Sequence, residues 1–413
     1  MASSSKSKSD KKKSHDKPAK KSSKKTAAAK ATAAGELAKA KPSKAQPAKK
    51  LGKKAAAAVW SCGLPDIAEQ VMPAPPPGVA NWTENMLFAI YDPACDIGMW
   101  LHLGTMPSDW TMWEDRAYVY LPGDGGILSI LAYTHTPPEQ RPGGANINFR
   151  CIEPWKKWKV TCDGVGVHTT NEEMQKGLAT LSKVQRFTID LDIEFISPVW
   201  DAHTSTTVEG AGAGSMDKQD WAKEHYEQLY KATGTVTLTT GTYKFNGYGW
   251  RDHSRGPRGT GPTAVWGGHI IAGGIYPESG RTWGICRYWT PAGEITLEGG
   301  FVYIDGVFHH AKVTKTPRLR ELKMADEHLP IGLKWDGGEI ELDFVTRKTM
   351  YTAMAKHLCV GTDLEGAGLM YVLNHGPCDW DGETGIVYCE RSDPLNAFPE
   401  HLYFSEDDLN KGH

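Results

Sequence analysis

The sequence predicts an all-β protein: two consecutive antiparallel β units, each a barrel or a sandwich, behind a disordered basic tail. Three observations predict this. Short runs rich in β-branched and aromatic residues recur from residue 81 to about 400, separated by Gly, Pro and Asp turns. Within residues 186–196 the pattern alternates, putting Phe187, Ile189, Leu191, Ile193 and Phe195 on one face and mostly polar residues on the other. That is the period of a strand in a sheet wetted on one side. The charge is also divided. Residues 1–56 hold 18 Lys and three acids, a net of +15, while the remaining 29 basic and 46 acidic residues give −17.

Residues 1–58 are Lys, Ala, Ser and Pro with almost nothing apolar to bury, so they cannot offset chain entropy and are expected to be disordered. Such a tail neutralises phosphates and implies weak, non-specific binding of nucleic acid or another polyanion. No aromatic ring interleaves the lysines, which argues against base stacking. Residues 59–80 read as a Pro-rich linker, 81–215 as the first β unit, 216–400 as the second and 401–413 as an acidic tail. In the first unit the strands are expected at 86–91, 96–103, 116–121, 127–133, 146–151, 158–162 and 186–196. Residues 217–233 break the pattern. Trp221, His225 and Leu229 fall at helical spacing with Gly234 as a stop, so a short helix is expected at the boundary. Strands resume at 235–245, 265–275, 282–288, 294–297, 301–304, 307–313, 333–335, 339–345 and 385–391, with Asp305-Gly306 and Asp336-Gly337 as hairpin turns.

The eight cysteines are scattered, with no C-x-x-C and no zinc-finger spacing. No apolar leader or membrane-length apolar run is present. Free thiols and a cytoplasmic location are therefore expected. Motifs for nucleotide phosphates, dinucleotides, zinc peptidases and α/β-hydrolases are absent. His309 and His310 sit on a strand, so their rings point to opposite faces and do not chelate one metal. No metal and no organic cofactor is expected.

The densest collection of reactive groups is residues 247–258, GYGWRDHSRGPR, directly after a strand. Read from the residues alone, it is either a functional loop or a turn held by an Arg–Asp pair. Desolvated among tryptophans, Asp252 would be a general acid; beside an arginine it would stay a base or an anchor. His253 is a proton carrier by default. Glu227 is a second carboxylate that could approach. Trp100, Trp250, Trp266, Trp283 and Trp289 are possible walls for an apolar or cationic species.

This stretch resembles the G-x-G-x-R-D-H-S-W-G-x-R segment of a bacterial family of uncharacterised proteins, similar to AttH-like and carotenoid 1,2-hydratase-like proteins. Asn81-Trp82 with Glu84, residues 98–104 (GMWLHLG), Pro107 with Trp113-Glu114, and residues 119–123 (VYLPG) resemble its N-terminal half. Residues 225–228 (HYEQ) and 382–390 (GETGIVYCE) resemble its C-terminal half, so the likeness spans about residues 80–392. It implies two consecutive lipocalin-like β-barrels around a hydrophobic ligand, without a cofactor; more distant relatives are fungal pericyclases. The proposed proton donor of the hydratases carries over to Asp252. Arg255 stands where the family has Trp, which implies a more polar site or an anionic ligand.

Together these readings name Asp252 and His253 as catalytic. Arg251, Arg258, Trp250, Arg255, Glu227, Trp100 and Trp283 are named as substrate-binding. The expected activity is a hydratase-like lyase or isomerase acting on a terpenoid, polycyclic or aromatic compound. The alternatives are a non-catalytic carrier of a hydrophobic, anionic molecule, and a structural protein acting through its tail.

Overall fold

The computed structural model describes residues 60–107, 109–175, 183–258, 267–290, 292–319, 323–353 and 370–393. The basic tail 1–58, the acidic tail 401–413, Trp266 and Cys359 lie outside the described residues.

Nearly all regular structure is strand, as the sequence predicts. The first half contains β1 (Trp82–Asp92), β2 (Ile97–Met106), β3 (Asp109–Tyr120), β4 (Ile127–His135), β5 (Ile147–Glu153), β6 (Lys157–Thr169), β7 (Val184–Phe195), β8 (Trp200–Asp201), β9 (Ala213–Gly214), β10 (Glu224–Leu238) and β11 (Gly241–Pro257). The second contains β12 (Gly268–Ile275), β13 (Thr282–Trp289), β14 (Ile295–Ile304), β15 (Val307–Lys315), β16 (His328–Trp335), β17 (Gly338–Val345), β18 (Lys348–Ala353), β19 (Met370–Trp380) and β20 (Glu383–Asp393). The order β11-β1-β2-β3-β4-β6-β7-β10 returns to β11 and closes an eight-stranded antiparallel barrel. The second sheet runs β13-β12-β20-β19-β17-β16-β15-β14 and meets β13 again. Its β17–β19 seam is reduced to the single pair Phe344 and Cys378. Among the described residues, closure leaves no long free edge in the first ring, whereas the second stays nearly open along its β17–β19 seam.

Alternation along the strands divides most of the apolar residues into three cores, with a small fourth cluster of Ala68, Trp155, Val199 and Tyr226. Phe88, Leu101, Trp158, Leu191 and Tyr230 fill the first ring, and Ile270, Trp283, Val302, Leu333 and Val387 fill the second. The third core lies between the rings, where Ala89, Tyr118, Leu229 and Trp250 meet Ile271, Tyr288, Phe301 and Tyr388. Trp250 reaches this contact because Gly273 and Gly284 face it. A Cβ at Gly273 would stand 1.9 Å from the indole, and one at Gly284 would stand 2.7 Å from it. The seven described cysteines are free thiols. No described helix is long and apolar enough to cross a membrane.

Three expectations need correction. Residues 224–238 are a strand, not part of a helix. His225 and Leu229 are four residues apart, and that spacing keeps one face on a strand as well as on a helix, so it could not discriminate. Residues 224–257, expected in the second unit, form the hairpin that closes the first ring; apart from the two-residue strand β9, which pairs with β14, the chain passes to the second sheet only after Pro257. Residues 60–80 are more than a linker. A short 3₁₀ turn at Asp66–Glu69 drives Glu69 into the end of the first ring, where it is 1% exposed.

Candidate active site

Because residues 247–257 are strand, neighbouring side chains of the motif face opposite ways. Arg251, His253 and Arg255 point into the first ring, and Trp250, Asp252 and Ser254 point out of it toward the second.

The inward set is a closed ionic network. Arg251 donates to both oxygens of Glu69, at 2.6 and 3.1 Å, and lies against the rings of Trp158, Phe195 and Tyr226. Glu69 also accepts from Trp158 Nε1 at 2.9 Å. His253 Nε2 lies 2.8 Å from Glu84 Oε1, and its Nδ1 makes a short contact with the Tyr226 hydroxyl. Arg255 donates to Glu84 at 2.9 Å, to Ala68 O at 2.8 Å and to Gln70 O. Burial is the main reason that the His253 pKa falls to about 4, so the ring is neutral at pH 7. Each charge here has its partner. The network anchors the 66–70 segment to the barrel end, and none of the three residues reaches Asp252's side of the sheet.

The outward set is different. Asp252 keeps 16% of its side chain exposed, while the groups around it are buried. Opposite it in register is Glu227, on the same face of β10 as His225. Glu227 Oε1 lies 2.6 Å from His225 Nε2, and His225 Nδ1 lies 3.5 Å from Asp252 Oδ2. Glu227 Oε2 and His225 Nδ1 are buried without a hydrogen-bond partner. Burial raises the Asp252 pKa to about 7; the negative charges of Glu227 and Glu390 push the same way, against the pull of His225 and Arg258. Burial also lifts Glu227 well above the carboxylate range and depresses His225.

The facing wall comes from the second ring. Tyr388 and Glu390, two apart on β20, share a face. The Tyr388 hydroxyl donates to Glu390 Oε2 at 2.6 Å and accepts from Trp100 Nε1 at 3.1 Å. Glu390 Oε1 lies 2.9 Å from His269 Nε2. Burial alone would raise the Glu390 pKa, but His269 and then Tyr388 overcome it and hold this carboxyl below its ordinary value. The inter-ring contact therefore sets a carboxyl poised near neutrality against one kept ionised. An aromatic bridge joins the two sides. Trp221 touches His225 edge-on at 5.0 Å and stacks on Tyr288 at 4.5 Å, and Tyr288 stacks on His269 at 5.0 Å. Ser392 Oγ, 2.5 Å from His269 Nδ1, completes a Ser–His–Glu order. Ser392 is fully buried and also accepts from the His269 amide, so it orients the imidazole and presents no nucleophile.

Of the residues the sequence singled out, the structure brings Asp252, Glu227, Trp100 and Trp250 to the inter-ring space, with Arg258 at its margin. It directs Arg251, His253 and Arg255 into the first ring. Trp283 lies inside the second ring, its Nε1 donating to Tyr276 at 3.4 Å. Sequence reasoning passed over His225 as a reactive group and His269 and Tyr288 altogether, and met Glu390 only as the last residue of the 382–390 stretch, with no role. The x+2 spacing of His225 with Glu227 and of Tyr388 with Glu390 was the available signal, once both stretches are read as strands. Among the described residues, His225, Glu227 and Cys286 offer metal-ligand atoms within 4.8 Å of one another. Two of the three already engage each other, and burial keeps the Cys286 thiol protonated.

The chain is similar to several solved structures. A putative AttH from Nitrosomonas europaea is 11% identical, with 76% of this chain and 92% of that one covered at a TM-score of 0.46. CghA is 9% identical, with coverages of 76% and 88% and a TM-score of 0.45. Kievitone hydratase from Nectria haematococca is 10% identical, with coverages of 75% and 88% and a TM-score of 0.40. No curated protein matches the sequence. A family model matches residues 66–395, from the turn that carries Glu69 to the end of β20, and the chain belongs to that family, a domain of unknown function (DUF7064).

Proposed function

We propose that this protein is a cofactor-independent, hydratase-like lyase or isomerase acting on a hydrophobic compound, with Asp252 as its general acid. The observation that carries this reading is the placement of Asp252: a partly exposed carboxyl on a central strand, among the aromatic residues between the rings, with a pKa of about 7. A general acid works best when its pKa lies near the working pH. Asp252 transfers its proton to an alkene carbon, and the π-electron pair forms the new C–H bond. The carbocation left behind is sheltered by the faces of Trp100, Trp221 and Tyr288. Water adds to the cation and gives up a proton that recharges the Glu227–His225 pair, leaving an alcohol; loss of a proton from a neighbouring carbon to the same pair instead gives an isomerised alkene. The reverse sequence dehydrates an alcohol.

His225 and Glu227 restore the acid. Protonated Glu227 donates to His225 Nε2, and the Nδ1 proton of the same ring passes to Asp252. The ring changes tautomer without becoming charged, which suits a buried imidazole of low basicity. These two residues act through Asp252 and are positioning residues.

The test begins with mass spectrometry of small molecules that co-purify with the protein, followed by incubation of the purified compound and its dehydrated or hydrated partner with enzyme in D₂O. The expected result is a product one water heavier or lighter, or an isomer carrying deuterium, and Asp252→Asn should lower turnover by at least about 100-fold. An Asp252→Asn protein that turns over at the wild-type rate would sink the proposal.

A further inference from the structure

The motif brings three arginines close together, and two of them are neutralised. Arg251 has Glu69, and Arg255 has Glu84 with Glu224 at 3.3 Å. Arg258 is the exception. Its Nε donates to Thr83 Oγ1 at 2.8 Å, one terminal nitrogen to Trp221 O, and the other to Ser254 Oγ at 3.1 Å. All three acceptors are neutral, and Arg258 forms no ion pair with any described residue. A guanidinium has five N–H donors, so two are left over.

Its surroundings do not make up for this. The groups whose charge Arg258 feels are Asp252, Tyr288 and Tyr371, the same groups that border the candidate cleft. The two phenols are neutral, because burial raises both well above their ordinary range. Asp252 is half protonated at neutral pH. A partly buried cation without a counter-charge is unfavourable, and one with unused donors is completed by an anion.

We infer that Arg258 is the anchor for an acidic substrate: a hydrophobic molecule bearing a carboxylate or similar oxyanion, which Arg258 grips while the apolar body lies along Trp100, Trp221 and Tyr288 toward Asp252. This rests on the proposed function in that the ligand occupies the Asp252 cleft. It narrows the substrate class from hydrophobic compounds in general to hydrophobic acids. It also gives the cleft a polarity, with the anionic end at Arg258 and the reacting carbons beside Asp252.

The experiment uses two pairs of fluorescent probes, cis-parinaric acid with its methyl ester and 1-pyrenebutyric acid with its methyl ester. They are titrated into the full-length protein at pH 7.5. Charge-assisted hydrogen bonds of this kind are worth about 1.5–3 kcal/mol, so at least one acid should bind about 10- to 150-fold more tightly than its ester. Arg258→Gln should abolish the difference, Arg258→Lys should retain part of it, and Asp252→Asn should keep it. The wild-type acid–ester comparison stands even if a variant fails to fold. Equal binding of acid and ester by the wild type, failure of both acids to bind, or an unchanged preference in Arg258→Gln overturns the anchor. None of these outcomes bears on the turnover measurement with Asp252→Asn, so the failure of the two ideas can be told apart.

Discussion

Replacing Asp252 by Asn should make the protein more stable in mildly alkaline solution, even though it removes the proposed acid. The folded carboxyl titrates at about 7, against about 3.9 in an unfolded chain. Between these values the unfolded chain has released a proton that the folded protein still holds, so this group's contribution favours folding less as pH rises. By linkage the penalty is roughly 1–2 kcal/mol at pH 5 and approaches about 4 kcal/mol above pH 8. Asn has nearly the same shape and no proton to lose. The difference in stability between variant and wild type should therefore grow in the variant's favour by about 2–3 kcal/mol from pH 5 to pH 8.5. The groups facing Asp252 are His225 and Glu227 on β10, Arg258 just after β11, Cys286 and Tyr288 on β13, Tyr371 on β19 and Glu390 on β20. All are present in both proteins, so their own titrations cancel to first order. The measurement is urea unfolding followed by tryptophan fluorescence at the two pH values. A pH-dependent gain below about 1 kcal/mol would mean that Asp252 titrates as an ordinary surface carboxyl, and the assignment of the acid would go with it.

Other consequences can be checked without a substrate. Glu69→Gln leaves Arg251 buried without its counter-charge and should destabilise the protein by about 3–5 kcal/mol in urea unfolding, whereas replacing both residues by Leu and Met should recover much of that. Gly273→Ala places a Cβ against the Trp250 ring and should lower stability by about 1–3 kcal/mol and shift the tryptophan emission. We propose that the +15 segment binds polyanions; deletion of residues 1–58 should then abolish retention on a heparin column at low salt, and elution of the full chain should move earlier as salt increases.

The strands were legible where one side of a sheet is apolar and the other wet, as in β7, and where a turn demands special residues, as at Asp305-Gly306, where both φ values are positive. They were not legible where both faces are buried. β10 and β11 are covered on one side by the interior of the first ring and on the other by the second ring, so polar and aromatic residues sit on both faces and the alternation is masked. Asp252 could be singled out because its motif is local. Glu390, His269 and Tyr288 could not, since they lie on strands of the other sheet and come near Asp252 only when the two rings pack together, Glu390 from 138 residues away. Glu69 was hidden for another reason: a Pro-rich stretch reads as a spacer unless one knows that a buried Arg251 needs a carboxylate.

The closure of the first ring has a kinetic consequence. Tyr91 pairs with Tyr248 and Trp82 with Pro257, and Glu69 meets Arg251 from 182 residues away. On a ribosome releasing roughly 5–20 residues per second, β1 waits on the order of 10–35 s for the strand that completes its ring. Until then its Met86, Phe88 and Ile90 face an open sheet, and β1 presents an unpaired edge. The hairpin that mounts the candidate acid is thus also the piece that ends the most aggregation-exposed interval in the protein's synthesis.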